Sequence, residues 1–159
     1  MMKQSFKLPE KGVYTLIISI SKETEIEVGK LGKKRFLKGY YTYTGSALGK
    51  GSNLRKRVLR HLGKKKRKFW HIDFLLSSKE SSINAVIAAP TNIKKECQIN
   101  LLIRKKLKPN ILVKGFGSSD CKSGCRAHLL YFGEENPRTE IVKLYKEMFG
   151  FKPSVVDFC

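Results

Sequence analysis

Acidic residues are scarce in this sequence of 159 residues. The chain has 13 Asp and Glu against 33 Lys and Arg, which gives a formal net charge of +20 at pH 7. Such a surface attracts polyanions, because each phosphate that a protein neutralises releases condensed counterions. A ribosome-like basic protein or a Lys-rich thermophilic surface would also be basic, but thermophiles usually raise Glu together with Lys. The one-sided excess therefore favours a nucleic-acid partner.

Long apolar runs are also absent. No stretch approaches the roughly 18 apolar residues needed to span a bilayer, and the Lys-containing start lacks the apolar core and cleavage site of a signal peptide. We therefore expect no membrane association and a cytoplasmic location. The four cysteines, Cys97, Cys121, Cys125 and Cys159, are too few for a disulfide framework in a chain of this size, so reduced thiols are expected.

Neither a repeat nor a linker divides the chain, and hydrophobic periodicity with turn residues predicts mixed strands and helices. Strands are predicted at Gly12–Ile20, 25–28, 35–44, 82–89 and 129–132. Helices are predicted at 53–62, capped by Ser52 or Asn53, at 69–76, at 92–106, capped by Thr91 or Asn92, and at 136–150. This order indicates an α+β fold with a small, largely antiparallel sheet flanked by helices. We expect a main domain at 8–133 and a C-terminal helical extension at 134–159 that packs on it.

The first long helix carries two residues of chemical interest on one face. Arg57 and His61 are four positions apart and lie beside the apolar stripe that includes Leu54 and Val58, so they should face the sheet. Arg60 should point to the solvated side. The alternative for Arg57 and His61 is an ordinary basic rim.

The second long helix places a carboxylate among apolar residues. Glu96 falls within a broad apolar arc that includes Cys97, Ile99 and Ile103. A carboxylate is costly to bury unless it meets a cation or a metal ion. Both a structural ion pair with an arginine and a functional role remain open at this point.

Several short motifs occur in an order that resembles a known nuclease family. They are Gly12-Val13-Tyr14, Tyr43-Thr44-Gly45-Ser46, the segment from Leu54 to His61, Glu96 ahead of Leu101-Leu102-Ile103, and Lys108-Pro109-Asn110-Ile111. This set, which covers about residues 12–111, resembles the GIY-YIG nuclease superfamily. Gly39-Tyr40-Tyr41, Trp70-His71-Ile72-Asp73 and the segment 115–121 make the chain more similar to an uncharacterised GIY-YIG-like family that is sometimes fused to endonuclease III.

The resemblance implies a GIY-YIG-like nuclease domain at 8–133 and a role for each matched residue. Tyr14 and Tyr43 would be active-site tyrosines, and Arg57 would face the scissile phosphate. Glu96 would be the ligand of a single Mg²⁺ or Mn²⁺ ion. His61 stands where family members carry a histidine or a tyrosine. His71 would be a further catalytic histidine, with a core residue as the alternative.

A basic loop follows the first long helix. Its side chains are candidate phosphate contacts, with a solvated charge run as the alternative. The predicted nucleic-acid-binding residues are Lys50, Lys64, Lys65, Lys66, Arg67 and Lys68.

A cysteine–histidine cluster occurs later in the chain. Cys121, Cys125 and His128 have ligand-like spacing, but a lone cluster without a second cysteine pair does not favour zinc. Buried thiols and a core or substrate-facing His128 are the alternative.

The function that these motifs favour is a metal-dependent DNA endonuclease, with a role in DNA repair or processing. DNA is favoured over RNA as the substrate, and a repair enzyme is a candidate partner. Two alternatives are a catalytically weak nucleic-acid-binding module and an RNA-processing or ribosome-associated factor.

Overall fold

A five-stranded antiparallel sheet organises the chain. The computed structural model describes residues 7–49, 53–118, 121 and 123–158. Strands β1 (Gly12–Ile20), β4 (Gly39–Ala47), β5 (Ser81–Pro90), β6 (Leu129–Tyr131) and β7 (Ser154–Asp157) lie in the order β6-β4-β1-β5-β7, and β2 (Thr24–Glu27) and β3 (Lys33–Phe36) form a separate hairpin. The helices in this part of the chain are α1 (Leu54–Leu62), α2 (His71–Leu76), α3 (Glu96–Leu107) and α4 (Arg138–Phe149). The α+β class and the antiparallel sheet are thus confirmed.

Strand β1 is buried on both faces because helices cover both sides of the sheet. Its alternate side chains enter two separate apolar clusters, as the two-residue period of a strand requires. The first cluster contains Leu16, Ile18, and from α1 and α2 Leu54, Val58, Ile72 and Leu75. The second contains Val13, Ile17, and from α3 and α4 Ile99, Ile103, Ile141 and Tyr145. Helices α1 and α2 therefore cover one face, and α3 and α4 cover the other.

Two predicted boundaries were wrong for local reasons. The predicted strand at 35–44 is two strands, β3 and β4, separated at 37–38, and Gly39 begins β4 with a φ of 138°, which favours glycine. The helix predicted from Thr91 or Asn92 begins only at Glu96. The Thr91 N–H donates instead to the carbonyl of Lys11 at 3.2 Å, so this segment continues along the sheet.

The C-terminal segment contributes a strand as well as a helix. Strand β7 pairs with β5 from Ala85 to Ala88, although only a helix was predicted there. Its few β-branched residues, Val155 and Val156, are too short a run to predict a strand from sequence. The C-terminal segment therefore completes one edge of the main sheet.

The opposite edge of the sheet is partly open. Strand β6 pairs with β4 only from Tyr41 to Tyr43. In the part of the chain that the structure describes, no strand pairs with the outer side of β4 from Gly45 to Ala47. Side chains from the helices on both faces can therefore meet around this end of β4.

Candidate active site

A cleft of about 630 Å³ lies at the open end of β4 and brings together all six residues that the sequence suggested for catalysis. Its lining includes Tyr14 from β1, Tyr43 from β4, Arg57 and His61 from α1, His71 from α2, and Glu96 from α3. Residues distant in sequence converge there because the cleft is reached from both faces of the sheet. Their chemical roles stay predictions.

Tyr14 and His61 form a buried hydrogen-bonded pair. Tyr14 Oη lies 2.7 Å from His61 Nε2, and both side chains are at most 2% exposed. Gly45 faces Tyr14 across the β1–β4 pair, and a Cβ atom there would come within 2.7 Å of the phenol oxygen. The glycine of the second tripeptide thus makes room for the tyrosine of the first.

Burial keeps both members of this pair uncharged. It raises the pKa of Tyr14 to about 12, although the neighbouring Arg57 acts in the opposite direction. Burial together with the positive charge of Lys66 lowers the pKa of His61 to about 3. At neutral pH the pair therefore consists of a phenol and a neutral imidazole.

Arg57 carries a positive charge that no carboxylate neutralises among the residues described. Its Nη1 donates to the carbonyl oxygen of Ser46 at 3.1 Å, and its guanidinium lies 4.7 Å from the centre of the Trp70 ring. Its neighbour Arg60 also lies over Trp70 but pairs with the buried carboxylate of Asp73 at 2.8 Å. The expectation that Arg60 points into solvent was wrong, because Asp73 holds it against the protein. Arg57 is therefore left free to bind an anion in the cleft, whose lining also includes the exposed Lys94.

Glu96 is held at the cleft by Ser46. As the first residue of α3 it is half-buried, and its Oε2 accepts a short hydrogen bond from the Ser46 hydroxyl. Within the described ranges it has no cation within 4.0 Å, so the structural ion pair considered above does not form. Ser46 therefore links Arg57, through its carbonyl, to Glu96, through its hydroxyl. In the sequence, Ser46 stood out only as the last residue of the Tyr43-Thr44-Gly45-Ser46 motif, and no role was assigned to it.

His71 and Tyr43 form part of the cleft wall. His71 is half-buried, and its Nδ1 accepts the N–H of Gly117 at 2.9 Å, which leaves the proton on Nε2. Burial lowers the pKa of His71 and raises that of Tyr43. The Tyr43 ring lies edge-on to His61, with centroids 6.3 Å apart. His71 is thus neither a fully buried core residue nor freely exposed.

The basic loop divides into two kinds of side chain. Lys64 Nζ donates to the carbonyl oxygens of Leu76, Ser78 and Ser81, at 2.6 to 2.9 Å. Lys66 Nζ donates to the carbonyls of Arg60 and His61 and so caps the end of α1. These internal bonds argue against both lysines as phosphate contacts.

Other members of the predicted nucleic-acid-binding set remain available to a ligand. Lys65, Arg67 and Lys68 are exposed, and Lys68 lies 5.7 Å from the centre of the Phe74 ring. Lys50 lies outside the described residues. The loop's candidate phosphate contacts are therefore these three exposed cations.

A second cluster of chemical groups adjoins the cleft. Cys121 and His128, with Cys97 of α3, line its wall, and Cys125 is buried beside them. Burial alone would raise the pKa of Cys121, but hydrogen bonds from Cys97 and His128 outweigh it and lower that pKa to about 6. Cys97 was missing from the sequence-predicted cluster, because its proximity depends on how α3 packs. Its position directly after Glu96 was the available signal.

Comparisons with known proteins give one match. A family model described as Domain of unknown function DUF123 matches residues 13–150. Neither a curated protein nor a solved structure matches the chain. No helix among the described residues combines the length and apolar character needed to cross a membrane.

Proposed function

The chain belongs to the family described as Domain of unknown function DUF123, and we propose that it is a divalent-metal-dependent endonuclease acting on DNA. The observation that carries this proposal is the pairing of an uncompensated Arg57 with Glu96 through Ser46 in one cleft. A cation and a carboxylate kept apart by a neutral serine can bind a phosphodiester and a metal ion side by side. The resemblance to GIY-YIG nucleases supports the same assignment.

The residues present fit one Mg²⁺ or Mn²⁺ ion. Mg²⁺ prefers oxygen ligands, retains several waters, and is often held by one or two carboxylates together with substrate phosphates. Glu96 supplies such a carboxylate on the cleft wall, and within the described segments its observed partner is the neutral Ser46 hydroxyl. A bound ion there would supply Lewis-acid polarisation of a phosphoryl oxygen and stabilise the leaving oxygen.

Arg57 is suited to bind the scissile phosphate. Its guanidinium offers several N–H donors in a fixed plane, and stacking on Trp70 with the bond to Ser46 holds that plane in place. Because no carboxylate in the described chain pairs with it, its charge stabilises negative charge that develops on the phosphate.

Tyr14 and His61 are suited to remove the proton of the attacking water. With pKa values of about 12 and about 3, Tyr14 is a phenol and His61 a neutral imidazole at neutral pH, and each is a poor base by itself. The negative charge of a phosphodiester bound beside them would favour the protonated form of His61. We therefore assign Tyr14 a relay role: as water attacks phosphorus and the P–O bond breaks, the phenol oxygen takes the water proton and passes its own to His61 Nε2, 2.7 Å away. The leaving oxygen takes a proton from solvent.

The test is nicking of supercoiled plasmid with Mg²⁺ or Mn²⁺ and without either. Glu96→Gln should reduce nicking at least about 100-fold while DNA binding stays the same or tightens, since a negative charge near phosphate is removed. Arg57→Ala should lose nicking and some affinity. The melting temperature of both variants should stay close to that of the wild type, because neither Glu96 nor Arg57 has an ion-pair partner that would be left without its counter-charge. This measurement shows that a loss of nicking does not come from unfolding.

Two substitutions serve as matched controls. Glu140→Gln changes the first-turn carboxylate of α4, and Arg55→Ala removes a cation from the exposed side of α1; both residues lie away from the cleft. Both variants should nick like the wild type. A wild-type protein that binds DNA but nicks it with neither ion would refute the enzyme assignment and leave the nucleic-acid-binding module.

We further propose a cytoplasmic location and a repair enzyme as partner.

A further inference from the structure

Four metal-ligating side chains meet at the cleft wall beside α3. The sulfur atoms of Cys97, Cys121 and Cys125 and a ring nitrogen of His128 all lie within 4.8 Å of one another. Cys97 Sγ is 2.9 Å from Cys121 Sγ and 3.6 Å from His128 Nε2. Cys97 lies in α3, Cys121 and Cys125 lie in a loop, and His128 directly precedes β6. Tertiary packing rather than local spacing therefore creates the cluster.

Hydrogen bonds around the cluster hold its segments in place. Asn100, one turn after Cys97, is buried and donates to the carbonyl of Ala127 at 2.7 Å. The N–H of His128 donates to the carbonyl of Phe116 at 2.8 Å. Gly124 has a φ of 82°, which favours glycine and turns the chain just before Cys125. The ligands are therefore presented together before any ion binds.

We propose that Cys97, Cys121, Cys125 and His128 bind one zinc ion that fastens the segment carrying Cys121, Cys125 and His128 to the start of α3. Three thiolates and one imidazole are a ligand set of structural zinc sites, which are tetrahedral. Zinc–sulfur bonds of about 2.3 Å place two sulfurs roughly 3.8 Å apart in such a site. The cluster is already of this size, so side-chain rotations alone bring the four atoms onto an ion.

Other occupants fit this ligand set less well. Mg²⁺ and Mn²⁺ favour oxygen ligands, which the cluster does not offer. An iron–sulfur cluster interposes several atoms between its ligands and would hold them farther apart than this group. A disulfide between Cys97 and Cys121 would need a sulfur–sulfur distance of about 2.05 Å rather than 2.9 Å.

The expectation against zinc rested on a lone cluster of Cys121, Cys125 and His128 without a second cysteine pair. The structure adds Cys97 as a fourth ligand, and four protein ligands leave no open position for substrate or water. The ion is therefore assigned a structural role. Zinc binding can be measured without any cleavage assay, so this proposal stands or falls separately from the nuclease.

The proposed ion would nevertheless position residues of the cleft. Glu96 directly precedes Cys97, and the Gly117 N–H that binds His71 Nδ1 follows Phe116, whose carbonyl accepts the N–H of His128. Loss of zinc should therefore loosen both Glu96 and His71.

The first measurement is metal content of the full chain, purified under reducing conditions without chelator. About one zinc per chain is expected, and cobalt added to the stripped protein should give thiolate-to-cobalt charge transfer and the strong visible bands of tetrahedral cobalt. A strong chelator should lower the melting temperature. Zinc should restore it and Mg²⁺ should not.

The second measurement compares cysteine variants. Cys97→Ser should weaken zinc binding by roughly 100-fold or more, beyond the loss typical of residues that only support a ligand. Cys159→Ser controls for the number of thiols, and His71→Gln controls for a cleft histidine outside the cluster; both should keep one zinc. If Cys97→Ser does not fold, cobalt titration of the stripped wild type decides the question.

The proposal fails on any of three results. The first is that the wild type expressed with added zinc contains none and its stripped form binds neither zinc nor cobalt. The second is that Cys97→Ser binds zinc with the affinity of the wild type. The third is that alkylation and mass analysis of the fresh protein find Cys97 and Cys121 joined as a disulfide. Nicking activity does not enter any of these results.

Discussion

At the scale of single residues, Arg57 and Arg60 show how neighbours on one helix acquire different uses. Both lie over Trp70, but Arg60 is neutralised by Asp73, whose carboxylate is fully buried and also accepts the N–H groups of Phe69 and Trp70. These bonds and Arg60 outweigh the effect of burial and hold the pKa of Asp73 below its usual range. Asp73 thus fixes the segment that carries Trp70, against which Arg57 is placed.

His61 predicts how stability responds to pH. Its folded pKa of about 3 lies below the unfolded value of 6.5, so the unfolded state binds the extra proton between these values. The contribution of His61 is therefore complete above pH 6.5 and is lost as pH falls toward 3. Between pH 7 and pH 4.5, the protonation of His61 lowers the free energy of unfolding by about 2–3 kcal/mol.

Replacing His61 by Gln should flatten this dependence. We expect the unfolding free energy of His61→Gln, from denaturant titration at pH 7 and pH 4.5, to fall by about 2–3 kcal/mol less than that of the wild type. Comparing the two pH values within each protein removes any constant cost of the substitution. Equal slopes for the two proteins would show that His61 titrates normally in the folded state.

At the scale of elements, the short strand β6 determines where the site forms. It leaves the outer edge of β4 without a strand from Gly45 to Ala47 among the residues described, so α1 and α3 reach the same place from opposite faces. The late start of α3 also matters, because it puts Glu96 at the helix end beside the cleft rather than inside an apolar face.

The C-terminal elements are predicted to be indispensable to the fold. Ile141, Leu144 and Tyr145 of α4 are buried against the sheet, and burying each such side chain contributes roughly 1.5–3 kcal/mol. Truncation after Gly133 removes all three together with β7. The summed loss rivals the roughly 5–15 kcal/mol that stabilises an ordinary domain, so the shortened chain should show no cooperative melting.

A single substitution provides the mild counterpart to this truncation. Tyr145 Oη lies 2.7 Å from Thr15 Oγ1, which also bonds to Thr44. Tyr145→Phe should therefore cost only about 1 kcal/mol and keep the fold. A truncated protein that melts like the wild type would instead identify the segment as a docking element for another molecule.

At the scale of the whole molecule, the net charge of +20 predicts strongly salt-dependent binding to DNA. Neutralising the exposed Lys65, Arg67 and Lys68 to Gln should reduce the slope of log affinity against log salt by up to ~3 units. Binding titrations between low and moderate salt measure this slope. An affinity that does not change with salt would contradict the prediction.

Lys64 and Lys66 provide the comparison within the same loop. Their ammonium groups bond to backbone carbonyls, and burial lowers the pKa of Lys66 to about 8. Changing both to Gln should lower the melting temperature and alter the salt slope less than the exposed set does. The reverse pattern would mean that these two lysines leave their internal partners to bind phosphate.

Sequence by itself determined the features that depend on short-range order. The periodicity of β1 and a cap at Ser52 or Asn53 predicted β1 and α1, and Asn53 is the cap. A strand's two-residue period and a capping side chain both act within a few residues. The sequence also shows the excess of positive charge and the order of the four residues Tyr14, Tyr43, Arg57 and Glu96. Tertiary structure alone decided that Asp73 neutralises Arg60 and not Arg57. It also decided that Ser46 joins Arg57 to Glu96. The contact between Cys97 and Cys121 is a third case. Each of these contacts depends on which segments meet around the open end of β4, and burial and charge pairing there are set by distances that sequence spacing does not encode.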